Sequence, residues 1–293
     1  MGSDCWHLPS EIYFMIEQGK YLKNLFGVTN QVAVVTGGLG KLGAEYVEAL
    51  VQAGAKVAIL DVVEQPSLHL KKIAEKYPVI FLRVNIKNEK EISDALKLIE
   101  KRWRKPPSIL VNNAGWKASP NDPKGAGVPF EKYPMDLWDE VFSVNIAAAA
   151  KCAKIFGGRM IDKKIKGSII NIASHYALVS ADQRIYQYRE AKGKSKFIKD
   201  AAYGSSKAAL IALTRDLATL WAPHGIRVNA IALGGVLNPK SDQEFIINYC
   251  QRVPLGRMAK PNEYNGAMLF LASEASSYLT GTTIVADGGW TAW

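Results

Sequence analysis

Residues 32–43 constrain the fold of this chain more than any other stretch. They read VAVVTGGLGKLG, an apolar run that breaks into glycines, and a helix-forming stretch follows, KLGAEYVEALVQAG. This order predicts a buried strand, a tight turn and a helix. Gly38, Gly40 and Gly43 form the pattern G-x-G-x-x-G, and Asp61 ends the next apolar run, KVAILD.

The glycine pattern predicts a dinucleotide site. Glycines let the backbone approach a pyrophosphate closely, and the free N–H groups at the start of the following helix attract its charge. Asp61 stands at the distance along the chain where a carboxylate accepts hydrogen bonds from the adenosine ribose. The alternative is an ordinary glycine-rich turn between a core strand and a helix. The strand before the glycines, the helix after them and the acid beyond favour the dinucleotide site.

Apolar runs alternate with helical segments as far as the end of the chain. After VAVVT come KVAILD, VIFLRVN, SILVNNAG, GSIINIAS, RVNAIAL and TTIVADGG. Strands separated by helices predict an α/β fold with a doubly wound parallel sheet. We predict a single-domain Rossmann fold over residues 28–293, with seven parallel strands flanked by helices. Residues 1–27 are predicted to form an N-terminal extension, with an amphipathic helix that begins near Ser10.

Composition narrows the class of protein. With 48% hydrophobic and 22% charged residues, a chain of 293 residues can bury a large core. Cys5, Cys152 and Cys250 are odd in number and far apart, which favours neither disulfides nor a metal site. No uninterrupted apolar run suits a membrane span or a signal peptide. We expect a cytoplasmic protein without a metal and without a membrane partner.

The formal net charge of +10 would suit nucleic acid or an acidic ligand. The lysines and arginines are scattered along the chain rather than gathered in one block. We therefore expect no nucleic-acid partner.

A second pattern, Tyr203-Gly-Ser-Ser-Lys207, opens a long predicted helix. Residues four apart share one helix face, so the ammonium of Lys207 can stabilise the anion of Tyr203. The ordinary pKa of tyrosine, about 10, is too high for a base at neutral pH, and a neighbouring cation lowers it. Alone, such a pair equally fits a solvated helix face. Beside a dinucleotide site, it suits a reaction that couples hydride transfer to proton transfer.

With both patterns, the chain from about Leu25 to Trp293 resembles the short-chain dehydrogenase/reductase family. Residues 112–115 match the family's Asn-Asn-Ala-Gly, and RVNAIALGG, PLGRMAKPNE and TGTTIVADGG are similar to its later motifs. The resemblance places the family's catalytic residues on Asn145, Ser174, Tyr203 and Lys207.

The resemblance implies an NAD(P)-dependent oxidoreductase that interconverts a secondary alcohol and a ketone. In this family the tyrosine exchanges a proton with the substrate oxygen, the serine orients that oxygen, the lysine also holds the nicotinamide ribose, and the asparagine supports a water linked to the lysine. The implied cofactor-binding residues are Gly37, Gly40, Lys41, Leu42, Gly43, Asp61, Asn85, Ile86, Asn113, Ala114, Gly115, Tyr203, Lys207 and Val236.

The carboxylate of Asp61 favours NAD(H) over NADP(H), because it repels a 2′-phosphate. Lys41 stands where the family has its second glycine, and its positive charge could bind the 2′-phosphate. NADP(H) therefore remains an alternative cofactor. Leu233 replaces the usual proline before Gly234, and Asn238 stands near a usual threonine. These departures put the contact to the nicotinamide amide in question.

The largest departure is an insertion near residues 178–201. Between Ser174 and Tyr203 lie 28 residues, many more than in the family. A solvated surface loop and a lid over the site both fit its run of charges. As a lid, it would offer Arg184 and Tyr186 to a carboxylate, phosphate or polyol. His175, directly after Ser174, is a third candidate for contact with the substrate.

The ADQRIY stretch and the GGWTAW ending are similar to family members that act on sugars or surface-glycan precursors. We therefore expect a sugar, sugar acid or sugar phosphate as the substrate. The alternatives are a 3-oxoacyl thioester reductase and a catalytically silent nucleotide-sensing protein. Silent relatives typically lack the tyrosine or the lysine, and this chain has both.

Two predicted helices, 135–160 and 203–221, are candidates for a subunit interface. Residues 147–150 read AAAA within a helix that is apolar on more than one face, and the tryptophans of DGGWTAW would be costly to expose. We expect a homo-oligomer, a tetramer by resemblance to the family.

Overall fold

The computed structural model describes residues 19–116 and 127–293, and its seven strands form one parallel sheet. Their order is β3-β2-β1-β4-β5-β6-β7, which confirms the predicted Rossmann fold. The third, fourth and seventh strands end earlier than the apolar runs suggest, because the residues after them turn into loops at the carboxyl edge of the sheet. The strands are β1 Val32–Thr36, β2 Lys56–Asp61, β3 Val79–Arg83, β4 Ile109–Asn112, β5 Gly167–Ser174, β6 Ile226–Leu233 and β7 Thr283–Ala286.

Helices connect the strands and cover both faces of the sheet. Residues 19–26 form a further helical stretch, with Tyr21 and Leu22 exposed. The predicted helix start at Ser10 lies outside the described residues, and the boundary of the extension at residue 27 stays a prediction. The helices are α1 Lys41–Gln52, α2 Leu68–Lys76, α3 Glu89–Trp103, α4 Met135–Asp162, α5 Tyr188–Ala191, α6 Ala201–Trp221, α7 Gln243–Cys250 and α8 Asn265–Ala272.

Each face of the sheet has its own apolar core. On one face Tyr46 and Leu50 of α1 pack with Met268 of α8 against the strands. On the other face Ile92 of α3 packs with Phe156 of α4. Because both faces are covered, the strands read as continuous apolar runs rather than alternating ones.

Helix α4 departs from a regular α-helix at two points. It contains π-helical turns at Ser143–Ala147 and Ala153–Gly157. By length and composition it is, among residues 19–116 and 127–293, the one helix long and apolar enough to cross a membrane, which the sequence analysis did not anticipate. Core helices of globular proteins pass the same test, and Phe156 and Met160 of α4 are buried against the sheet.

The order of the strands fixes where a ligand can bind. From β1 the sheet grows to β2 in one direction and to β4 in the other. At such a reversal the connecting segments diverge and leave a crevice at the carboxyl ends of the strands. The glycine turn, residues 37–40, follows β1 there, and residues 113–116 follow β4.

A third apolar cluster lies outside the two faces of the sheet. It joins the insertion to α7 and to the end of the chain, and we call it the aromatic cap. Its rings make close contacts: Tyr186 stacks on Phe245 at 5.5 Å, and Tyr249 stacks on Trp290 at 4.6 Å. The cap comprises Ile185, Tyr186, Phe197, Phe245, Tyr249, Val253, Met258 and Trp290.

Candidate active site

The glycine turn leaves no room for side chains. Gly37 has a φ of +63°, which favours glycine, and a β-carbon there would lie 2.8 Å from the Cα of Ala114. A β-carbon on Gly43 would lie 2.2 Å from the carbonyl oxygen of Gly37. The turn therefore folds tightly onto the first turn of α1 and onto the segment after β4.

The start of α1 fits a bound pyrophosphate. Four other helices have an N-cap side chain that accepts a backbone N–H: Ser67 for α2, Asn88 for α3, Asp200 for α6 and Asp242 for α7. Helix α1 begins after Gly40 with no side-chain cap and no acidic residue in its first turn. Its first N–H groups are therefore left for an anion, as expected at a phosphate-binding helix end.

Asp61 lies against the glycine turn, at the end of β2. One carboxylate oxygen accepts the N–H of Leu39 at 3.0 Å, and the other accepts the N–H of Val63 at 3.1 Å. These two bonds hold the carboxylate beside the turn. A ribose bound over the turn would meet it there.

Asn113 ties the segment after β4 to the glycine turn. Its side-chain amide donates to the carbonyl oxygens of Thr36 at 3.0 Å and Gly37 at 2.9 Å. The hydroxyl of Thr36 in return accepts the N–H groups of Asn113 and Ala114, both at 3.1 Å. This network explains why Asn-Asn-Ala-Gly and the glycine pattern occur in one chain.

The remaining cofactor candidates lie around the same crevice. Asn85 and Ile86 follow β3, and the N–H of Asn85 donates to the carboxylate of Glu91 at 2.7 Å. Val236 follows β6 and forms an isolated bridge with Ala259. Lys41, in the first turn of α1, donates to the carbonyl oxygen of Leu237, so its ammonium spans from the glycine turn to the loop after β6. Leu42, the next residue, packs against the core of the α1 face.

Tyr203 and Ser174 form the centre of the site. Ser174 ends β5, Tyr203 stands in the first turn of α6, and their hydroxyls lie close together. Burial raises the pKa of the Tyr203 phenol above its ordinary value, and the carboxylate of Asp200 raises it further, whereas the nearby hydroxyl of Ser174 lowers it. Lys207 is buried one turn later, and its ammonium donates to the carbonyl oxygen of Ile172 at 2.7 Å.

Asn145 lies in the first π-helical turn of α4. Its side chain bonds Trp116 twice, accepting the N–H at 2.7 Å and donating to the carbonyl oxygen at 2.9 Å. It also donates to the hydroxyl of Ser206 at 3.0 Å. Isolated π turns are frequent at functional sites, and this one joins α4 to the segment after β4 and to α6.

Gly115 connects the glycine turn with the catalytic group. A β-carbon at this position would lie 3.3 Å from the ammonium of Lys207 and 3.3 Å from the side-chain oxygen of Asn145. The predicted catalytic residues and the predicted cofactor cradle therefore meet along one short segment, residues 112–116.

The insertion is packed at both ends of an exposed run, residues 190–196. Tyr186 and Phe197 are buried in the aromatic cap. Lys192 pairs with Glu244 of α7, and Lys194 pairs with Asp242. These contacts favour the prediction of a lid over that of a solvated loop.

The three substrate candidates have different positions. Arg184 is 65% exposed, and its guanidinium pairs with Asp182 of the same loop at 2.8 and 2.9 Å. Tyr186 lies inside the cap. His175 is buried beside Ser174, and its ring contacts Tyr176 and Trp290.

Two residues near the site were not predicted from the sequence. Lys199 lies over the ring of Tyr203, with its ammonium 4.2 Å from the ring centroid. Tyr249, in α7, accepts the N–H of Gly235 at 2.6 Å and stacks on Trp290. Only the short distance of Lys199 from the Tyr-x-x-x-Lys pattern along the chain could have drawn attention to it.

Chemically, the arrangement suits proton transfer next to a bound dinucleotide. A phenol, a hydroxyl and an ammonium lie together at the crevice where an uncapped helix leaves N–H groups for phosphate. These groups supply a proton handler, a hydrogen-bond partner for an oxygen and a fixed positive charge.

Comparison with known proteins agrees with this geometry. A family model described as "Enoyl-(Acyl carrier protein) reductase" matches residues 40–291. A galactitol 2-dehydrogenase of Rhizobium johnstonii is 32% identical over 273 residues, which cover 92% of this chain and 98% of that protein.

Two solved structures share both fold and length. A short-chain dehydrogenase from Leptospira borgpetersenii with bound NAD+ has a TM-score of 0.77 at 33% identity, covering 92% of this chain and 95% of that one. A gluconate 5-dehydrogenase from Burkholderia cenocepacia, in complex with NADP and tartrate, has a TM-score of 0.78 at 26% identity. It covers 92% of this chain and 99% of that one.

Proposed function

The chain belongs to the short-chain dehydrogenase/reductase family, and from this premise we propose that it is an NAD-dependent dehydrogenase of polyols or sugar acids. It would oxidise a secondary alcohol to a ketone and catalyse the reverse reaction. The observation that carries the proposal is the group formed by Ser174, Tyr203 and Lys207 beside the uncapped start of α1.

In the proposed mechanism, the nicotinamide supplies hydride transfer when it is bound. Tyr203 accepts the hydroxyl proton of the alcohol on oxidation and returns a proton to the oxygen on reduction. Ser174, beside Tyr203, holds the same substrate oxygen. Lys207, fixed by Ile172, stabilises the phenolate and holds the ribose, while Asn145 keeps α4 and the segment after β4 in place around it.

The glycine turn, Asp61 and Asn113 would hold the rest of the dinucleotide. We propose a preference for NAD(H), because the carboxylate of Asp61 is fixed beside the turn, where it would repel a 2′-phosphate. The structural relatives carry NAD+ in one case and NADP in the other. Fluorescence titration with NADH and NADPH tests the preference, and tighter binding of NADPH would reject it.

The proposed substrate class is supported by two kinds of relative. One is a galactitol 2-dehydrogenase and the other a gluconate 5-dehydrogenase, and both names describe oxidation at a secondary carbon of a polyhydroxylated chain. The part of the insertion that packs in the aromatic cap also disfavours a long acyl carrier, which needs an open cleft. A 3-oxoacyl thioester remains the alternative, since the matching family model is described as an acyl carrier protein reductase.

We further propose a homo-oligomer, a tetramer as in the family prediction, that works in the cytoplasm. Leu220 of α6 is 64% exposed and Met135 of α4 is 60% exposed. A second subunit on these helices would cover this apolar surface. Analytical ultracentrifugation at micromolar concentration tests the proposal, and a stable monomer would refute it.

A substrate panel tests the proposed function. Reduction of NAD+ is measured with galactitol, gluconate and sugar phosphates, and oxidation of NADH and NADPH with an acetoacetyl thioester. Turnover of a polyol or sugar acid supports the proposal, and turnover of the thioester alone supports the alternative. Binding of NAD+ without turnover of any compound would point to the silent sensor.

The variant Tyr203→Phe tests the mechanism. It removes the proton handler and leaves the ring in place, so we expect turnover to fall by roughly 100-fold or more with nearly unchanged affinity for NADH. Wild-type turnover in this variant would exclude Tyr203 as the acid and base.

A further inference from the structure

The insertion ends in two buried charged residues, directly before α6. The side chain of Lys199 is 7% exposed and that of Asp200 is 0% exposed. Gln183 holds the backbone of Lys199 from both sides: its amide donates to the carbonyl oxygen at 3.0 Å, and its oxygen accepts the N–H at 2.9 Å. The backbone of Lys199, from which its side chain extends, is therefore held in place by another residue of the insertion.

Both residues contact Tyr203. One oxygen of Asp200 accepts the N–H of Tyr203 at 2.8 Å and caps α6. The other oxygen lies 3.5 Å from the ammonium of Lys199 and, within the described part of the chain, forms no hydrogen bond. The same ammonium lies 4.2 Å from the centroid of the Tyr203 ring. It thus stands between a carboxylate and the face of the candidate catalytic ring.

Capping a helix does not require this cation. An N-cap aspartate needs only the backbone N–H that Asp200 already binds, and an ammonium is costly to bury. Lysines are almost never fully buried unless they are paired. The buried cation has, however, a direct electrostatic effect on the phenol, because an opposite charge within about 4–6 Å favours the ionised form.

We propose that Lys199 is a positioning residue for the reaction: its ammonium, held over Tyr203 by the insertion, favours the phenolate, and Asp200 opposes it. The proposal rests on the proposed function of Tyr203 as proton donor and acceptor. In this way the insertion sets the pH range in which the site works, besides covering it.

Other groups face Tyr203 and also affect the ionisation of its phenol. Lys207 lies on the same helix as Tyr203, and Ser174 lies beside the hydroxyl of Tyr203. Tyr176 follows β5 in the turn that packs on α6. None of these groups belongs to the insertion. The effect of Lys199 and Asp200 can therefore be isolated by substituting these two residues alone.

The test is the ionisation of Tyr203, which needs no substrate. The tyrosinate absorbance of the full-length protein with saturating NAD+ is titrated, and the titration of Tyr203→Phe is subtracted, so that the difference reports Tyr203. In Lys199→Met we expect the midpoint to rise by about 1–2 pH units, because an opposing carboxylate remains without its cation. In Asp200→Asn, which still caps α6, we expect the midpoint to fall.

Two further variants separate charge from structure. Lys199→Arg keeps the cation and should keep the midpoint near that of the wild type. Lys196→Met removes a lysine of the same insertion that is 59% exposed and should change nothing. Shifts of the midpoint in opposite directions in Lys199→Met and Asp200→Asn support the proposal. If Lys199→Met fails to fold, a lowered midpoint in Asp200→Asn together with an unchanged midpoint in Lys199→Arg supports it instead.

Unchanged midpoints in Lys199→Met and Asp200→Asn would overturn the proposal, as would a wild-type Tyr203 that does not ionise before the protein unfolds. Neither result touches the proposed function, which is tested separately by the substrate panel and by the turnover of Tyr203→Phe.

Discussion

The glycine turn and the aromatic cap are built differently. The turn consists of backbone that leaves no space for a β-carbon at Gly37 or Gly43. The cap consists of large side chains from three distant segments, represented by Tyr186, Tyr249 and Trp290. The proposed nucleotide site therefore depends on the absence of side chains, and the aromatic cap depends on their volume.

This difference has consequences for specificity. A pyrophosphate is the same in every dinucleotide, so a single backbone conformation can bind it in all of them. Substrates differ in shape, and side chains packed on an insertion can change without disturbing the strands. Four substitutions test this contrast, and the first three each have a matched control.

The largest effect is expected for Gly43→Ala. The new β-carbon would lie 2.2 Å from the carbonyl oxygen of Gly37, so the turn must move out of its binding geometry. We expect affinity for NADH to fall at least roughly 100-fold, equivalent to about 2.7 kcal/mol, by fluorescence titration. The control Gly266→Ala has nothing within 4 Å and should bind NADH normally. Normal binding by Gly43→Ala would show that the turn tolerates side chains.

Trp290→Ala should lower stability while sparing the nucleotide side. Trp290 is 8% exposed and stacks on Tyr249, and truncation of a buried tryptophan costs about 3 kcal/mol or more. Urea unfolding measures this loss, and NADH affinity should stay unchanged. Trp293→Ala, at a position 81% exposed, should cost almost nothing. Equal effects in the two variants would contradict the cap as a packed unit.

A smaller effect concerns pH. Burial lowers the pKa of His175, partly offset by its bond to the carbonyl oxygen of Leu233 at 2.9 Å. The side chain of His175 then stays neutral in the native state, whereas in the unfolded chain it takes up a proton below about pH 6.5. The contribution of His175 to stability is present above that pH and is lost as the pH falls toward its lowered pKa.

Urea unfolding at about pH 7.5 and about pH 5.5 brackets the ordinary histidine pKa. The wild type should lose more stability between these conditions than His175→Gln. His224→Gln alters an exposed histidine and should follow the wild type. A wild-type slope retained in His175→Gln would assign the pH dependence to other groups.

The smallest effect is expected for Arg184→Ala. The exposed pair of Arg184 with Asp182 is screened by water, so the melting temperature should change by less than about 2 °C. Because Arg184 lies at the surface, KM for the substrate found in the panel should also stay unchanged. A raised KM would support the prediction from the sequence that Arg184 binds the substrate.

The same contrast explains what the sequence could reveal. The strands, the glycine turn, Asp61 and the Tyr-x-x-x-Lys pattern each depend on residues close together along the chain, so spacing and periodicity predicted them. The aromatic cap escaped prediction because its partners, such as Tyr186 and Phe245, are far apart in sequence. Lys199 escaped because nothing in a run of mixed charges distinguishes the one lysine that becomes buried.

Helix α4 shows a subtler limit. Its buried positions form two rows that each recur every fourth residue. One row comprises Val141, Asn145, Ala149, Ala153 and Gly157, and the other comprises Ala148, Cys152, Phe156 and Met160. In a regular α-helix such positions would drift around the axis by about 40° at each step, which is why the sequence indicated apolar residues on more than one face. The two π-helical turns absorb this drift, so part of that surface lies against the sheet rather than a partner.

The first of these turns also affects how the chain tolerates changes in length. A π turn accommodates an extra residue in the helix, and deletion of one residue between Ser143 and Ala147 would restore regular winding. Because the π turn absorbs this extra residue, the two flanking segments of α4 would keep their orientation, and Phe156 would still face the sheet. The geometry inside the turn would change, so Asn145 would no longer be held where it bonds Trp116 and Ser206. A loss of three bases from the gene here would therefore leave the core in place and remove one group from the site.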